Sequence, residues 1–126
     1  MKFEHFGINV PDGKAMADWW VANLNMRVVR ASDGPPWMRF LADSTGRVVM
    51  EIYTNPQGPV PAYSEQHPLV LHIAFAVDDA GATIERLVAA GAAVVSDQTS
   101  GNDRLAMLRD PWGVVIQICQ RAVPML

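Results

Sequence analysis

The sequence predicts an α+β fold made of two pseudo-symmetric βαβββ modules whose mixed sheets curl around a cleft. Three observations predict it. The chain opens two similar runs, HFGINVPD from His5 and HIAFAVDD from His72. Each is followed by a stretch of helical spacing and then a valine pair, Val28-Val29 and Val94-Val95. Each copy closes on a hairpin, FLADSTGRVVMEIY at 40–53 and MLRDPWGVVIQIC at 107–119. Asp43 and Gly46 correspond to Asp110 and Gly113, and Glu51 to Gln117, with one residue fewer in the second copy. Internal repetition of this kind is read before any single element.

The modules span about 1–54 and 69–121, joined by the proline-rich connector NPQGPVPAYSEQHP at 55–68. A half of this size closes a poor core alone, so the copies are expected to form one domain over 1–126. FEHFGINV and LVLHIAFAV read as strands, from their alternation and their β-branched and aromatic content. Asp12, Asp78 and Asp79 are capping signals ahead of helices. Met16, Trp19, Trp20 and Leu24 form the apolar stripe of the first helix, and Ile84, Leu87, Val88 and Gly91 that of the second. Gly91 suits a left-handed C-cap. Asp43-Ser-Thr-Gly46 and Asp110-Pro-Trp-Gly113 carry turn chemistry. Strands and helices mixed within each copy fit α+β better than a doubly wound parallel sheet.

At 126 residues, 50% hydrophobic and 18% charged, the chain is long and apolar enough for a real core. A net charge of −3 offers no footprint for a phosphate backbone, so nucleic acid is not an expected partner. No apolar run is long enough to span a membrane, and no signal-peptide pattern opens the chain. The single cysteine, Cys119, fits a reducing, cytoplasmic setting and reads as a buried, inert thiol.

Strand alternation sorts the side chains. Phe6, Ile8 and Val10 should lie under the first helix, leaving Phe3, His5, Gly7 and Asn9 opposite. Val48, Met50 and Ile52 share the helix side, leaving Val49, Glu51 and Tyr53 opposite. The second copy repeats this, with His72 opposite Ile73, Phe75 and Val77, and Gln117 and Cys119 opposite Val114, Ile116 and Ile118. Four polar residues, His5, Glu51, His72 and Gln117, thus project away from the helices. Two imidazoles, a carboxylate and an amide oxygen are a workable ligand set for one divalent transition metal: Zn, Ni, Fe, Co or Mn. The competing reading pairs Glu51 with Arg39 or Arg47 at the rim and leaves Gln117 as a hydrogen-bonding amide.

On these residues the chain resembles the vicinal oxygen chelate superfamily, which groups glyoxalase I, bleomycin- and fosfomycin-resistance proteins, methylmalonyl-CoA epimerase and extradiol dioxygenases. The resemblance covers about residues 3–120. It rests on the doubled βαβββ plan, the strand-opening histidines, Glu51 of VVMEIY, and DPWGVVIQIC, which resembles the family's Asp-Pro-x-Gly-x-x-x-Glu ending. It implies a glyoxalase-like fold, a homodimer and a small-molecule substrate. It also implies a metal held by His5, Glu51, His72 and Gln117. Gln117 stands where a glutamate is usual, so Glu51 alone can act as base. That favours a lyase or isomerase acting on a small carbonyl compound that chelates the metal through vicinal oxygens. The alternatives are a metal-free small-molecule-binding protein of the bleomycin-resistance type and, less favoured by the amide, a dioxygenase. Tyr53, Trp37, Met107 and Arg39 are expected to line the substrate site. Arg104 and Arg109 are weaker candidates for steering an anion, and His67 in the connector is expected to be exposed.

Overall fold

A computed structural model describes residues 1–125. The chain divides into two compact units, Met1–Pro61 and one that begins at Ala62. The first contains β1 (Phe6–Asn9), α1 (Gly13–Asn23), β2 (Arg27–Ala31), β3 (Arg39–Ala42) and β4 (Val48–Tyr53). The second contains a 3₁₀ turn (Tyr63–Glu65), then β5 (Ile73–Ala76), α2 (Ala80–Ala89), β6 (Ala93–Ser100), β7 (Asp103–Arg109) and β8 (Val115–Gln120). Each unit is the βαβββ plan with a mixed four-stranded sheet, ordered β1-β4-β3-β2 in one and β5-β8-β7-β6 in the other. In both, the first strand runs parallel to the last and the remaining pairs are antiparallel.

Local chemistry starts and stops these elements as expected. The Asp12 carboxylate accepts from Ala15 N at 2.9 Å and that of Asp79 from Ala82 N at 2.9 Å, capping α1 and α2. Asp78 makes no such cap; Asp79 takes the position. Gly91 ends α2 at φ +100, where its neighbour Ala92 N donates to Leu87 O at 2.9 Å. Both hairpin glycines are left-handed, Gly46 at φ +85 and Gly113 at φ +87, each donating its N–H to the opening aspartate's carbonyl. In the second hairpin the buried Asp110 also accepts from Trp112 N and Val114 N through Oδ1.

The helix-side faces are the cores. In the first unit Met16, Ala17 and Trp20 of α1 are fully buried with Val10, Leu41, Met50 and Ile52, while Trp19 is half-buried. In the second, Ile84 and Leu87 of α2 meet Leu108, Ile116 and Ile118. Val88 does not join them. It is 45% exposed, because Ala80, Ile84 and Leu87 already define the buried stripe and Val88 falls outside it.

Both opening strands are shorter than the apolar runs suggest, so His5 and His72 stand just before β1 and β5. In the first unit the parallel ladder begins at Phe6↔Met50, and β4 is irregular immediately before that point. In the second, residues ahead of Ile73 are drawn into a turn: Val70 N donates to His67 O at 2.9 Å and Leu69 N to His67 Nδ1 at 3.2 Å. His67 itself is exposed.

The extra residue of the first hairpin is also accounted for. Leu41 pairs with Met50 and Ala42 with Val48, so Val49 is left over in a β-bulge. The β7–β8 ladder runs without such a break through Leu108↔Ile116 and Arg109↔Val115.

The connector is anchored at both ends by side chains. Asn9 donates to Asn55 O and Gly58 O at 2.9 and 3.0 Å and accepts from Asn55 N. Arg109 donates to Tyr63 O, Gly113 O and Gln66 O. Arg109, a weak candidate for anion steering, is therefore engaged in holding backbone.

Candidate functional site

Strand register brings the polar residues of each unit into one row. In the first, Gly7 lies beside Glu51, and Glu51 beside Phe40. In the second, Ala74 lies beside Gln117, and Gln117 beside Met107. His5 and His72 each stand two residues ahead of the small residue in that row. The repeat is thus preserved in hydrogen-bonding register as well as in sequence.

In the first unit the histidine and the carboxylate meet. His5 Nε2 is 3.6 Å from Glu51 Oε2, both side chains being about a quarter exposed. His5 Nδ1 is 3.0 Å from the Glu4 carboxylate, and its ring stands edge-on to Phe40 with centroids 4.9 Å apart. Each ring nitrogen of His5 thus faces a carboxylate, Glu4 at Nδ1 and Glu51 at Nε2, which fixes the orientation of the ring. His72 has a parallel arrangement, with Nδ1 3.3 Å from Pro68 O, though its side chain is exposed. Gln117 is half-buried, and among the described residues its amide takes no hydrogen bond.

In the first unit the His5 and Glu51 donors are spaced as two ligands of one ion would be. With metal–donor distances of about 2.0–2.2 Å, two donors on one ion lie roughly 3–3.5 Å apart, near the spacing of His5 and Glu51. That spacing is also too long for a direct hydrogen bond. Each unit carries one imidazole and one side-chain oxygen donor, His5 with Glu51 and His72 with Gln117. Among the described residues no group of three or more His, Cys, Asp or Glu stands at metal-holding distances.

Tyr53 shares the face of Glu51. A Cβ at Gly7 would lie 3.0 Å from the Tyr53 ring, 3.4 Å from Glu51 Oε2 and 3.5 Å from the Tyr53 hydroxyl. The missing side chain at 7 is what lets both groups lie over β1. Gly7→Ala is therefore expected to displace the Tyr53 ring and cost about 1 kcal/mol. Urea unfolding and the Tyr53 aromatic resonances check this; unmoved resonances would show that Gly7 sets nothing.

The other expected substrate contacts are distributed differently. Met107 flanks Gln117, as the row requires. Trp37 is 41% exposed in the loop before β3, with φ +56. Arg39 pairs in register with Ile52, so it lies on the core side, 7% exposed, and donates to Ser32 O and Met38 O. Those carbonyls engage its Nη1, and among the described residues neither it nor Arg47 pairs with Glu51. Arg104 makes a two-pronged ion pair with Asp97, at 3.0 and 2.7 Å, which holds the Asp97 carboxyl below its usual range. Sequence reasoning missed Glu4 altogether. Its adjacency to His5 was visible, but an exposed acid beside a histidine has no signature of its own.

Cys119 is a free, buried thiol on the face of Gln117, paired with Ala76. Burial pushes its pKa up, with Arg121 acting in the opposite sense. No helix among the described residues is long and apolar enough to cross a membrane.

Solved structures share this architecture. An antibiotic-binding protein, TnmS3, from Streptomyces sp. CB03234 superposes with a TM-score of 0.71 at 21% identity, covering 97% of each chain. A glyoxalase-related enzyme from Fulvimarina pelagi gives 0.73 at 17% identity, over 98% of this chain and 90% of that one. The fosfomycin resistance protein FosX of Listeria monocytogenes, solved with Mn(II) and sulfate, gives 0.73 at 17%, over 97% and 91%. These are likenesses of fold. No curated protein matches the sequence. The family model, by contrast, aligns with residues 2–118, and on that match the chain belongs to the Glyoxalase/Bleomycin resistance protein/Dioxygenase superfamily.

Proposed function

We propose that the protein is a metal-dependent enzyme of the lyase or isomerase type, acting on a small carbonyl compound with vicinal oxygens. His5, Glu51, His72 and Gln117 are its ligands for one divalent transition metal. We place it in the cytoplasm, as a homodimer. The observation that carries the reading is the His5–Glu51 pair, with Glu4 on the far nitrogen of the imidazole. The Glu51 carboxylate and the His5 Nε2 face each other at 3.6 Å, and among the described residues no lysine or arginine pairs with Glu51.

The bound ion supplies Lewis-acid polarisation of the substrate oxygens. The chain's own residues do the rest. Glu51 is the one carboxylate in the two rows, so it takes the proton from the carbon next to the carbonyl and returns it. The Gln117 amide cannot accept a proton at neutral pH, which removes the second base a two-glutamate site has. Tyr53, over Gly7, walls the same face and orients the substrate beside Glu51. Glu4 holds the His5 ring by Nδ1 and so directs Nε2 toward Glu51.

Metal analysis of the full chain, purified without an affinity tag, tests this. About one transition-metal ion per chain is expected. A stoichiometry near zero in a folded protein, unchanged after incubation with Zn, Mn, Fe, Co and Ni, overturns it. It would instead favour a metal-free small-molecule-binding protein; among the structural neighbours TnmS3 is an antibiotic-binding protein.

A further inference from the structure

The second unit contains a cavity of about 460 Å³ that none of the proposed metal positions lines. Its floor is the open face of β5 and β8, at Ala74, Ala76 and Cys119, and one wall is Met125 near the end of the chain. The two alanines make the depression: a strand face with methyl groups at alternate positions leaves the volume that larger side chains would fill. Most of the lining is apolar. Two charged residues reach it, Arg121 and Asp78.

Arg121 is half-buried. Among the described residues it has no acid within ion-pair distance. A guanidinium beside carbon surface, with no acid of the described residues in direct contact, favours an anion that brings its own apolar body. Asp78, exposed at the start of α2, sets the charge limit: beside a carboxylate a dianion is disfavoured, and a single carboxylate matched to the one guanidinium is not. The size is that of an ordinary small-molecule site.

We propose that this cavity binds a small apolar monocarboxylate, its hydrocarbon body on Ala74, Ala76 and Cys119 and its carboxylate on Arg121. Ala74 is the register neighbour of Gln117, so the cavity adjoins the second polar row. It uses none of the metal positions, however, and stands without the metal reading.

The test uses the full chain in EDTA, so that its outcome is separate from that of the metal analysis. Alanine-methyl NMR follows Ala74 and Ala76 during titration with 3-phenylpropionate, its neutral amide, and 3-phenylpropylammonium. The acid is expected to move both methyl signals saturably and to bind about ten-fold or more tightly than the amide. Arg121→Gln should bring acid and amide to equal affinity. Ala74→Leu, at an exposed position of β5, should abolish both while leaving the circular dichroism unchanged. Equal binding of acid and amide to the unaltered protein overturns the proposal. So do tighter binding of the ammonium probe, shifts confined to other alanines, or no saturation by any probe.

Discussion

Gly113→Ala is expected to destabilise the protein by roughly 2–5 kcal/mol, against about 1–2 kcal/mol for Gly46→Ala. The two glycines are repeat-related, end the same kind of Asp-opened turn and have nearly the same φ, +87 and +85. The cost of placing an L-residue in the left-handed region is therefore common to both. What differs is space. A Cβ at Gly113 would lie 2.6, 2.8 and 2.9 Å from the N, Cα and Cβ of Ser64, whereas at Gly46 the nearest group is the Arg27 guanidinium at 3.6 Å. Ser64 is backbone of the 3₁₀ turn, and Arg109 ties that turn to the hairpin through Tyr63 O and Gln66 O. The obstacle cannot swing aside as the end of a long side chain would. Urea midpoints of the two variants at equal m-value check this. Equal shifts would mean that the Ser64 contact carries no energy.

Glu51→Gln is expected to reduce bound metal at least ten- to a hundred-fold in affinity, since even residues that only orient a ligand commonly matter by that much. The substitution keeps shape and removes charge. Because Glu51 is partly exposed and among the described residues pairs only with His5, the fold should lose about 1 kcal/mol or less. Metal content after dialysis and a competitive titration with Zn and Mn measure the effect, alongside a urea curve. Retention of one tightly held ion per chain in the variant would remove Glu51 from the ligand set. Loss of the metal together with several kcal/mol of stability would give Glu51 a structural role that its surroundings do not show.

The helix-facing rows were legible because burial follows strand period two. Ile8, Met50 and Ile52 lie inside on one side of the first sheet, with Gly7, Glu51 and Tyr53 on the other. Arg39 was misplaced for a related reason. An arginine in a strand reads as surface, yet its parity puts it beside Leu41 in the core, where its Nη1 donates to two backbone carbonyls. Val88 failed in the other direction: an apolar residue one position beyond the buried stripe stays outside.

By itself the sequence determined what short-range chemistry controls: the doubled plan, the aspartate caps, the glycine turns and the pairing of polar positions between copies. These depend on groups a few residues apart, or on a period that the backbone imposes. Tertiary structure alone decided where the ladders begin, that Val49 is absorbed in a bulge, and that Glu4 supports His5. It also decided that Ser64 closes over Gly113 and that a cavity opens between Arg121 and two alanines. Each of these requires segments distant in the chain to meet in a particular register, and only the simultaneous burial of apolar faces and satisfaction of backbone hydrogen bonds selects that register.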